Sequence, residues 1–414
     1  MRTLISTLLL AAAAQTPWAQ AAPLKVATWN LGWHLDRELA AQWRTACAAP
    51  FKLEGGRWKP AAAAGADTQP GWKLPWGRNA PIDWDIGALP PCDTYQHNRQ
   101  AVAVTPEQDE QRRERLRTVL AEKLDADVIA FQEVSGAAAV RELVGEAYEV
   151  CSYEGHKVQR LAFAWKRKLG SGRCELDWRL ALPQRAMADQ VRPGLALSLQ
   201  TGGKTLRFLT VHLKSSCVSA LDANNPLFPA AAGEARGQLD GPNPHCQSLQ
   251  EQVAPLEDWL ERQSQGADGL VLLGDFNRNL GHEASEAAEL PARSAGGSAA
   301  APHGPEVKVR NLWRELNDGQ PQALRLLSAE CTGLPACALA KTRLLDRQEY
   351  GQLRATLGCR NPVGLDHIVV AGALKGDGAH KLALGAAGET RPNAQGQVEL
   401  GLSDHCPLVA ELEL

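Results

Sequence analysis

The chain carries Leu402-Ser403-Asp404-His405-Cys406-Pro407-Leu408, a stretch in which a polar Ser-Asp-His triplet opens the last apolar run. The triplet gains meaning because polar residues interrupt earlier apolar runs in the same way. Those residues are Asn30, Glu133, His212, Asp275, Asn277 and Asp366. Each lies in, or just past, a run that predicts a buried strand. Carboxylates, amides and imidazoles at successive strand ends can converge on one rim and hold a hard metal ion beside a phosphate.

Apolar runs that predict strands extend over most of the chain. They cover residues 24–30, 128–131, 160–166, 194–200, 206–213, 269–273, 366–371 and 407–414. Two amphipathic stretches, residues 107–124 and 248–263, predict helices because apolar side chains recur on one face of each. Strands outnumber helices, and the helices lie between them. This pattern predicts sheets stacked on each other with helices outside.

Residues 1–21 have the pattern of a secretory signal peptide: a basic Arg2, an apolar run over residues 4–14 and the small residues of Ala19-Gln20-Ala21. The apolar run is too short to span a bilayer. We therefore expect a cleaved signal and a secreted or periplasmic protein. Residues 22–414 are expected to form one domain with insertions around residues 37–105 and 281–306. The second insertion is rich in Ala, Gly, Ser and Pro, which predicts a mobile loop.

The formal net charge is −3, from 44 basic and 47 acidic residues. Loss of Arg2 with the signal leaves 43 basic residues against 47 acidic ones, a net charge of −4. This balance excludes a strongly basic protein that coats nucleic acid. An enzyme that visits one phosphodiester and leaves needs only a local positive cleft.

All ten cysteines lie beyond residue 21, and their number is even. In an oxidising compartment this favours disulfides over metal thiolates. No tight Cys-x-x-Cys pair of the kind that binds zinc is present. Spacing does not fix the pairing, but three bridges are plausible from position: Cys47–Cys92, Cys217–Cys246 and Cys331–Cys337.

Six short motifs resemble, in their order along the chain, those of the endonuclease/exonuclease/phosphatase superfamily, which includes DNase I, neutral sphingomyelinases and inositol-polyphosphate 5-phosphatases. The motifs are Thr28-Trp29-Asn30, Phe131-Gln132-Glu133, Val211-His212-Leu213, Gly274-Asp275-Phe276-Asn277, Leu365-Asp366-His367-Ile368 and Ser403-Asp404-His405. Each is weak alone, and six in order are specific. The resemblance, of the secreted bacterial type, runs from about residue 24 to residue 414. It implies a DNase I-like four-layer α/β sandwich, with two packed mixed β-sheets flanked by helices, and Mg²⁺-dependent cleavage of a phosphate ester.

Phosphoryl transfer needs a positioned nucleophile, charge neutralisation on the phosphate oxygens and help for the leaving oxygen. Mg²⁺ takes oxygen ligands and keeps several waters, so one or two carboxylates suffice. Glu133 is expected to be a direct ligand, and Asn30 to contribute an amide oxygen or to bind a metal-bound water. Asp404 is expected beside the metal or a second cation. Mn²⁺ and Ca²⁺ are alternatives to Mg²⁺.

The catalytic residues are expected to be Asp275, Asn277, His405, Asp366 and His212. Asp275 and Asn277 are two positions apart, so on an extended segment they point to one side and can orient an attacking water and grip a phosphate oxygen. His405 paired with a carboxylate would stay protonated and stabilise a charged phosphate, or take a proton from water. The resemblance assigns Asp366 as that carboxylate. His212 would contact the phosphate or assist the leaving oxygen.

One position departs from the superfamily pattern. Some secreted nucleases of this type carry a Glu near Gln159-Arg160, where it supports the first histidine, and this chain has Gln159. The partner of His212 is therefore open, and with it the acid role of His212. Arg160 and Arg192 are candidate phosphate contacts or, equally, solvated surface residues. His367 is adjacent to Asp366 and is expected to point to the opposite face.

The leading functional hypothesis is a secreted endonuclease that hydrolyses nucleic acid by attack of water on a Mg²⁺-bound phosphate. A lipid phosphodiesterase or phosphatase acting at membrane lipid is the second, and a non-catalytic binding protein on the same scaffold is the third. No obligate protein partner is indicated. The five Trp of residues 37–105 bear on the choice, since they could stack on splayed bases, dip into a membrane interface or pack the insertion onto the domain.

Overall fold

The computed structural model describes residues 23–77, 80–223, 239–289, 309–318, 323–327, 329–330, 337, 339–340 and 343–413. Within these ranges the strands are β1 Leu24–His34, β2 Pro50–Glu54, β3 Arg57–Pro60, β4 Thr68–Pro70, β5 Gln96–His97, β6 Gln100–Ala101, β7 Val128–Val134, β8 Tyr148–Ser152, β9 Arg160–Lys166, β10 Gly172–Asp177, β11 Gly194–Thr201, β12 Lys204–His212, β13 Gly269–Asp275, β14 Arg325–Leu327, β15 Ala329–Glu330, β16 Asp366–Gly372, β17 Ala379–Lys381, β18 Arg391–Pro392, β19 Val398–Glu399 and β20 Leu408–Leu412. All eight predicted strands are therefore confirmed, with small shifts at their ends.

The helices of the same residues are α1 Arg37–Ala48, α2 Pro106–Thr118, α3 Ala137–Val144, α4 Ala220–Ala223, α5 Pro244–Ser264, α6 Leu280–Glu289, α7 Leu312–Leu316 and α8 Arg347–Leu357. A wider π-helical turn, Val119–Leu124, continues α2. Both predicted helices are confirmed, as α2 with its extension and as α5. Short 3₁₀ turns are Gly71–Lys73, Arg167–Leu169, Trp178–Ala181 and Gly385–Ala387. In the described part of the chain, no helix is long and apolar enough to cross a membrane.

Two mixed sheets form the centre of the molecule. The seven-stranded sheet has the order β15-β17-β20-β1-β7-β9-β8, and the six-stranded sheet has the order β10-β11-β12-β13-β16-β14. The parallel pairs β1–β7, β15–β17 and β12–β13 lie within sheets whose other pairs are antiparallel. Apolar side chains from the inner face of each sheet meet in one core, to which Phe163 and Phe208 contribute from opposite sheets.

Helices cover the outer face of each sheet. On the seven-stranded sheet, Trp29 and Phe131 pack with Leu116 of α2 and Leu353 of α8. The outer face of the six-stranded sheet packs mainly on α5 and α7 in the same way. Alternate residues of each central strand thus face a different apolar layer, as expected for strands buried on both sides. The predicted four-layer α/β sandwich is confirmed.

The stretch from residue 37 to residue 105 folds as a packed unit of α1, a β3-β2-β4 sheet and a β5-β6 hairpin. Its aromatic rings pack edge to face, with ring centroids 5.2 Å apart for Trp43 and Trp72 and 5.4 Å apart for Trp76 and Trp84. Trp43 is buried, and Trp58, Trp72, Trp76 and Trp84 are half-buried. Packing within this unit therefore buries Trp43 and covers part of the surface of the other four rings.

The expected mobile loop over residues 281–306 is wrong for its first part, because residues Leu280–Glu289 form α6. The Asn279 side chain accepts a hydrogen bond from the backbone N–H of His282, which caps the helix N-terminus, and the segment is rich in the helix-forming residues Ala and Glu. The composition rule gave too much weight to the small residues that follow. Residues 290–306 lie outside the described ranges.

Four disulfides join described cysteines: Cys47–Cys92, Cys151–Cys174, Cys217–Cys246 and Cys359–Cys406. The predicted bridges Cys47–Cys92 and Cys217–Cys246 are confirmed. The predicted Cys331–Cys337 bridge involves Cys331, which lies outside the described residues. Disulfides persist in oxidising surroundings, so the four pairs are consistent with an extracellular environment.

Candidate active site

One rim of the six-stranded sheet carries three of the predicted side chains. Asp275 ends β13, and in the strand register it lies opposite His212 of β12 and opposite Asp366 of β16. Neighbouring strands are roughly 4.8 Å apart, so the register alone brings the three residues together. All three are buried.

The seven-stranded sheet contributes Asn30 and Glu133 to the same place. Asn30 Nδ2 donates to Asp275 Oδ2 at 3.0 Å and lies 3.3 Å from Glu133 Oε1, to which it also donates. The Asn30 Oδ1 atom accepts from the backbone N–H of Gly32 at 3.0 Å. Asn30 therefore ties the carboxylates of the two sheets to each other.

A local break in strand geometry directs Glu133 toward this rim. Gln132 points between the sheets, where its Nε2 donates to Thr210 Oγ1 and its Oε1 accepts from Thr28 Oγ1. In a regular strand Glu133 would then face the helical layer, because successive side chains alternate. Instead, the register of β7 shifts at this point and Glu133 has a φ of 57°. Such bulges re-aim side chains next to active sites, and the sequence gives no signal for this one.

Glu133 has the surroundings expected of a metal ligand. Burial raises the pKa of Glu133, although the charge of Arg192 opposes this shift. No Lys or Arg of the described residues forms an ion pair with its carboxylate, and the Nε2 of His212 is 3.7 Å from Oε1. A half-buried carboxylate without a cationic partner requires compensation, which a divalent ion would supply.

His405 and Asp366 form the predicted pair, which the structure completes with Lys381. His405 Nδ1 is 3.0 Å from Asp366 Oδ2, and the buried Lys381 Nζ donates to the same oxygen at 2.8 Å. Burial would raise the pKa of Asp366, but the charges of His405 and Lys381 hold it below its usual range. Burial would likewise lower the pKa of His405, but the charge and hydrogen bond of Asp366 raise it to about 10. His405 is therefore a cation at neutral pH.

Asp275 faces this cation, with Oδ2 3.9 Å from His405 Nε2. Burial raises the pKa of Asp275 to about 7, against the opposing charge of His405. Ligand atoms of Asp275, Asp366 and His405 all lie within 4.8 Å of one another. Since Asp366 already bonds two cations, this trio is better described as a charge network than as a metal centre.

Asn277 is placed differently from the expectation. Its backbone N–H donates to Asp275 Oδ1 at 2.8 Å, and its side-chain Nδ2 donates to the Leu213 carbonyl at 3.0 Å. The segment turns rather than staying extended, since Asn277 has a φ of 53°. Asn277 thus orients Asp275 through the backbone, and its half-buried amide keeps its oxygen and its second N–H for a ligand.

His212 is neutral, and only one of its two ring nitrogens lies close to a polar group of the described residues. Burial lowers the pKa of His212 well below its usual value, and the charges of Arg192 and His405 lower it further. Its Nε2 lies 3.5 Å from Asp275 Oδ2, and its buried Nδ1 has no hydrogen-bond partner among the described residues. Gln159 does not supply one, because its Oε1 accepts from Arg192. The partner that the sequence left open is therefore not found in this part of the chain.

Asp404 lies at the outer side of the rim. Its Oδ2 accepts from Arg360 at 2.8 Å and from Asn361 Nδ2 at 3.1 Å, and the same Asn361 nitrogen is 3.2 Å from His405 Nε2. Burial is the main cause of the raised pKa of Glu133, and the Asp404 charge adds to it while Arg192 opposes it. Asp404 is thus close to Glu133 in electrostatic terms while bonded to a different set of residues.

The two candidate arginines have different surroundings. Arg160 donates to the carbonyls of Ser135 and Gly155, so its guanidinium stabilises backbone rather than facing the rim. Arg192 acts electrostatically on both Glu133 and His212. His367 bonds backbone atoms of Arg278 and Leu280, away from the rim, as expected.

Sequence reasoning missed Lys381, Arg360 and Asn361. Lys381 stands next to the polar His380 at the start of a short apolar stretch over residues 382–384, so it did not interrupt an apolar run as the other site residues do. Arg360 and Asn361 follow Cys359, whose bridge to Cys406 brings them beside His405. No local pattern in the sequence shows that juxtaposition.

Comparison with solved structures gives distant likenesses. A mannosyl-6-phosphatase of Bacteroides thetaiotaomicron has 12% identity and a TM-score of 0.43, covering 94% of this chain and 100% of that one. The catalytic domain of human Nocturnin has 14% identity and a TM-score of 0.40, covering 95% and 94%. D. rerio TDP2 in complex with a single-strand DNA product has 14% identity and a TM-score of 0.39, covering 74% and 92%. Comparison with curated protein sequences gives no match.

The two-sheet sandwich and its rim define a phosphoric-ester hydrolase of the DNase I-like class. The sequence profile described as "Endonuclease/Exonuclease/phosphatase family" matches residues 96–405, about three quarters of the chain. The chain belongs to the endonuclease/exonuclease/phosphatase family. Enzymes of this family generally depend on a divalent metal.

Proposed function

We propose that the protein is a secreted, Mg²⁺-dependent phosphodiesterase that cleaves nucleic acid as an endonuclease. The carrying observation is the hydrogen bond from Asn30 to Asp275, which joins the sheets and places Glu133 on one side of Asp275 and the His405–Asp366 pair on the other. A hydrolase for phosphodiesters needs this combination of a free carboxylate, a fixed cation and a second carboxylate within reach of one phosphate.

We assign Glu133, Asn30 and Asp404 to the metal. Mg²⁺, or Mn²⁺ or Ca²⁺ in its place, would neutralise charge that develops on the phosphate oxygens. Glu133 holds the negative charge for that ion inside the rim, and Asn30 fixes the direction of its carboxylate. Asp404 joins them once it releases Arg360, whose side chain is 66% exposed and free to turn outward.

The protein's own groups perform the remaining steps. Asp275, with Oδ1 fixed by the Asn277 backbone N–H, accepts a proton from the attacking water. His405 donates from Nε2 to a phosphate oxygen, while Asp366 keeps its ring in place through Nδ1. Asn277 donates its second amide N–H, beyond the one bonded to the Leu213 carbonyl, to another phosphate oxygen. His212, neutral and buried, contacts the phosphate or the leaving oxygen through Nε2.

Secretion is proposed on two grounds: the signal-like pattern of residues 1–21 and the four described disulfides. We likewise propose a single domain over residues 22–414 with insertions around 37–105 and 281–306. The Trp rings of residues 37–105 pack against one another and so present less apolar surface to a membrane, which supports nucleic acid over lipid as the substrate. A non-catalytic role is set aside, because the chain belongs to a family of hydrolases.

A substrate panel tests the proposal. Plasmid, single-stranded DNA, RNA, sphingomyelin and phosphoinositides would each be assayed with Mg²⁺, Mn²⁺, Ca²⁺ and EDTA. We expect metal-dependent nicking of plasmid, loss of activity in EDTA and loss in the Asp275→Asn variant. Turnover of a lipid with none of nucleic acid would overturn the endonuclease and favour the lipid phosphodiesterase.

A further inference from the structure

The rim that carries Asp275 and His212 continues across two more strands. Leu195 of β11 lies opposite Thr210 of β12, and Gly194 of β11 lies opposite Asp177 of β10. Extending these registers places residue 193 beside His212. Arg192 and Trp178 therefore leave the sheet at the same edge as the candidate active site.

Trp178 is held at this edge yet remains exposed. Its ring makes edge-to-face contacts with Tyr153 and His156, with centroids 5.9 and 5.8 Å away, and 43% of the residue is accessible. Every other Trp among the described residues is buried or half-buried. A fixed, exposed indole at this edge offers a flat face on which a nucleic-acid base can stack.

Arg192 precedes β11, the strand that lies between β10, which leads to Trp178, and β12, which ends at His212. Its guanidinium has N–H donors that are not hydrogen-bonded. One terminal nitrogen donates to Gln159 Oε1, while the buried Nε has no hydrogen-bond partner among the described residues. No Asp or Glu in this part of the chain forms an ion pair with it. Its charge acts on both Glu133 and His212, so Arg192 lies near the rim, and a guanidinium without a carboxylate partner there can bind an anionic ligand.

We propose that Arg192 and Trp178 form a nucleotide subsite beside the cleaved bond, in which Arg192 binds a flanking phosphate and Trp178 stacks on an unpaired base. The proposal rests on the proposed nuclease function and specifies its substrate as single-stranded or locally unpaired nucleic acid. Trp178 follows β10, two strands from His212, a separation of roughly 10 Å at the usual strand spacing. A base must leave its duplex partner to lie on a protein ring.

The alternative ligands fit this pair of residues less well. A phosphoinositide headgroup has no planar base for the indole. A phosphocholine headgroup could place its quaternary ammonium on Trp178, but its single phosphate is the one to be cleaved, so it leaves no flanking phosphate for Arg192. A base with its own phosphate satisfies both residues at once.

Binding by fluorescence anisotropy in EDTA, where turnover stops, tests the subsite. Two probes of equal length and charge are compared: a single-stranded DNA and the same backbone with every base removed. Trp178→Ala should weaken binding of the intact strand by about 5- to 140-fold, the equivalent of 1–3 kcal/mol of stacking, and leave the base-free strand unchanged. Trp178→Phe should keep most of the affinity. Leu53→Ala, at a residue 52% exposed on β2, is the control for loss of exposed apolar surface.

Arg192→Ala should weaken both probes equally and reduce the slope of log affinity against log salt by about 0.7, the value for one phosphate contact on a single strand. Equal losses on both probes for Trp178→Ala, or none on either, would overturn the stacking subsite. If the wild type cleaves nucleic acid but Trp178→Ala binds both probes as tightly as the wild type does, only this inference fails. If it neither cleaves nor binds nucleic acid, the proposed function fails and the subsite with it.

Discussion

Replacement of Lys381 by Met should cost the protein much of its stability while leaving the active-site geometry largely in place. Lys381 is fully buried, and its Nζ donates to Asp366 Oδ2 at 2.8 Å and to the Cys406 carbonyl at 3.1 Å. Met fills nearly the same volume without the charge. Removing one member of a buried ion pair costs about 3–5 kcal/mol, because the other charge stays buried and unpaired. His405 still bonds Asp366, so we expect a value near the lower end, about 3 kcal/mol.

The coupling between the two charges is the sharper test. The variants Lys381→Met, Asp366→Asn and their combination would be unfolded in guanidinium with the disulfides intact, and followed by far-UV circular dichroism. The double variant should be less destabilised than the sum of the singles by about 1–3 kcal/mol, because removing both charges leaves neither one unpaired. Turnover of Lys381→Met should stay at least about tenfold above that of His405→Ala. Additivity within about 0.5 kcal/mol would refute the assignment of a stabilising buried pair.

Three further predictions concern the site itself. His405→Ala should lower kcat by about 10²- to 10⁴-fold, measured on the preferred substrate, since a fixed cation facing the phosphate is lost. Glu133→Gln keeps the shape but removes the charge, so a Mg²⁺ titration should show half-maximal activity at a much higher metal concentration; an unchanged titration would remove Glu133 from the metal site. Replacing Cys359 and Cys406 together by Ser should lower both the free energy of unfolding, by about 2–5 kcal/mol, and kcat, because the bridge holds Asn361 beside His405. The matched control is the Cys47–Cys92 bridge, with a sequence separation of 45 residues against 47, whose removal should lower stability and leave kcat unchanged.

The central strands were predictable because they are buried on both faces, so each is a continuous apolar run that a single polar residue interrupts visibly. Asp275 and Asp366 stand at such interruptions, and the register of β13 and β16 then places them side by side. Short strands gave no comparable signal. β17 has three residues, and the importance of Lys381 depends on β17 pairing with β20, which no local pattern shows.

Other features could not be predicted from the sequence because they depend on exceptions to regular strand geometry. A period-two pattern assigns Glu133 to the wrong face of β7, and only the bulge with its positive φ corrects this. The extended arrangement expected for Asp275 and Asn277 failed for the same reason, since the chain turns there. In each case the residue type was the right one to suspect, and its direction could not be obtained from the sequence.

The position of the site between two sheets explains why so many polar groups are buried beneath it. The sheets meet through an apolar core, which by itself permits one sheet to slide against the other. Polar links between the described residues cross that core near the rim, among them Asn30 to Asp275, Gln132 to Thr210 and Lys381 to Asp366. A hydrogen bond in a dry interior is directional and costly to leave unmade, so each link fixes the relative position of the strands that carry the site. The alignment of Glu133 with His405 therefore depends on these links as much as on the side chains that face the substrate.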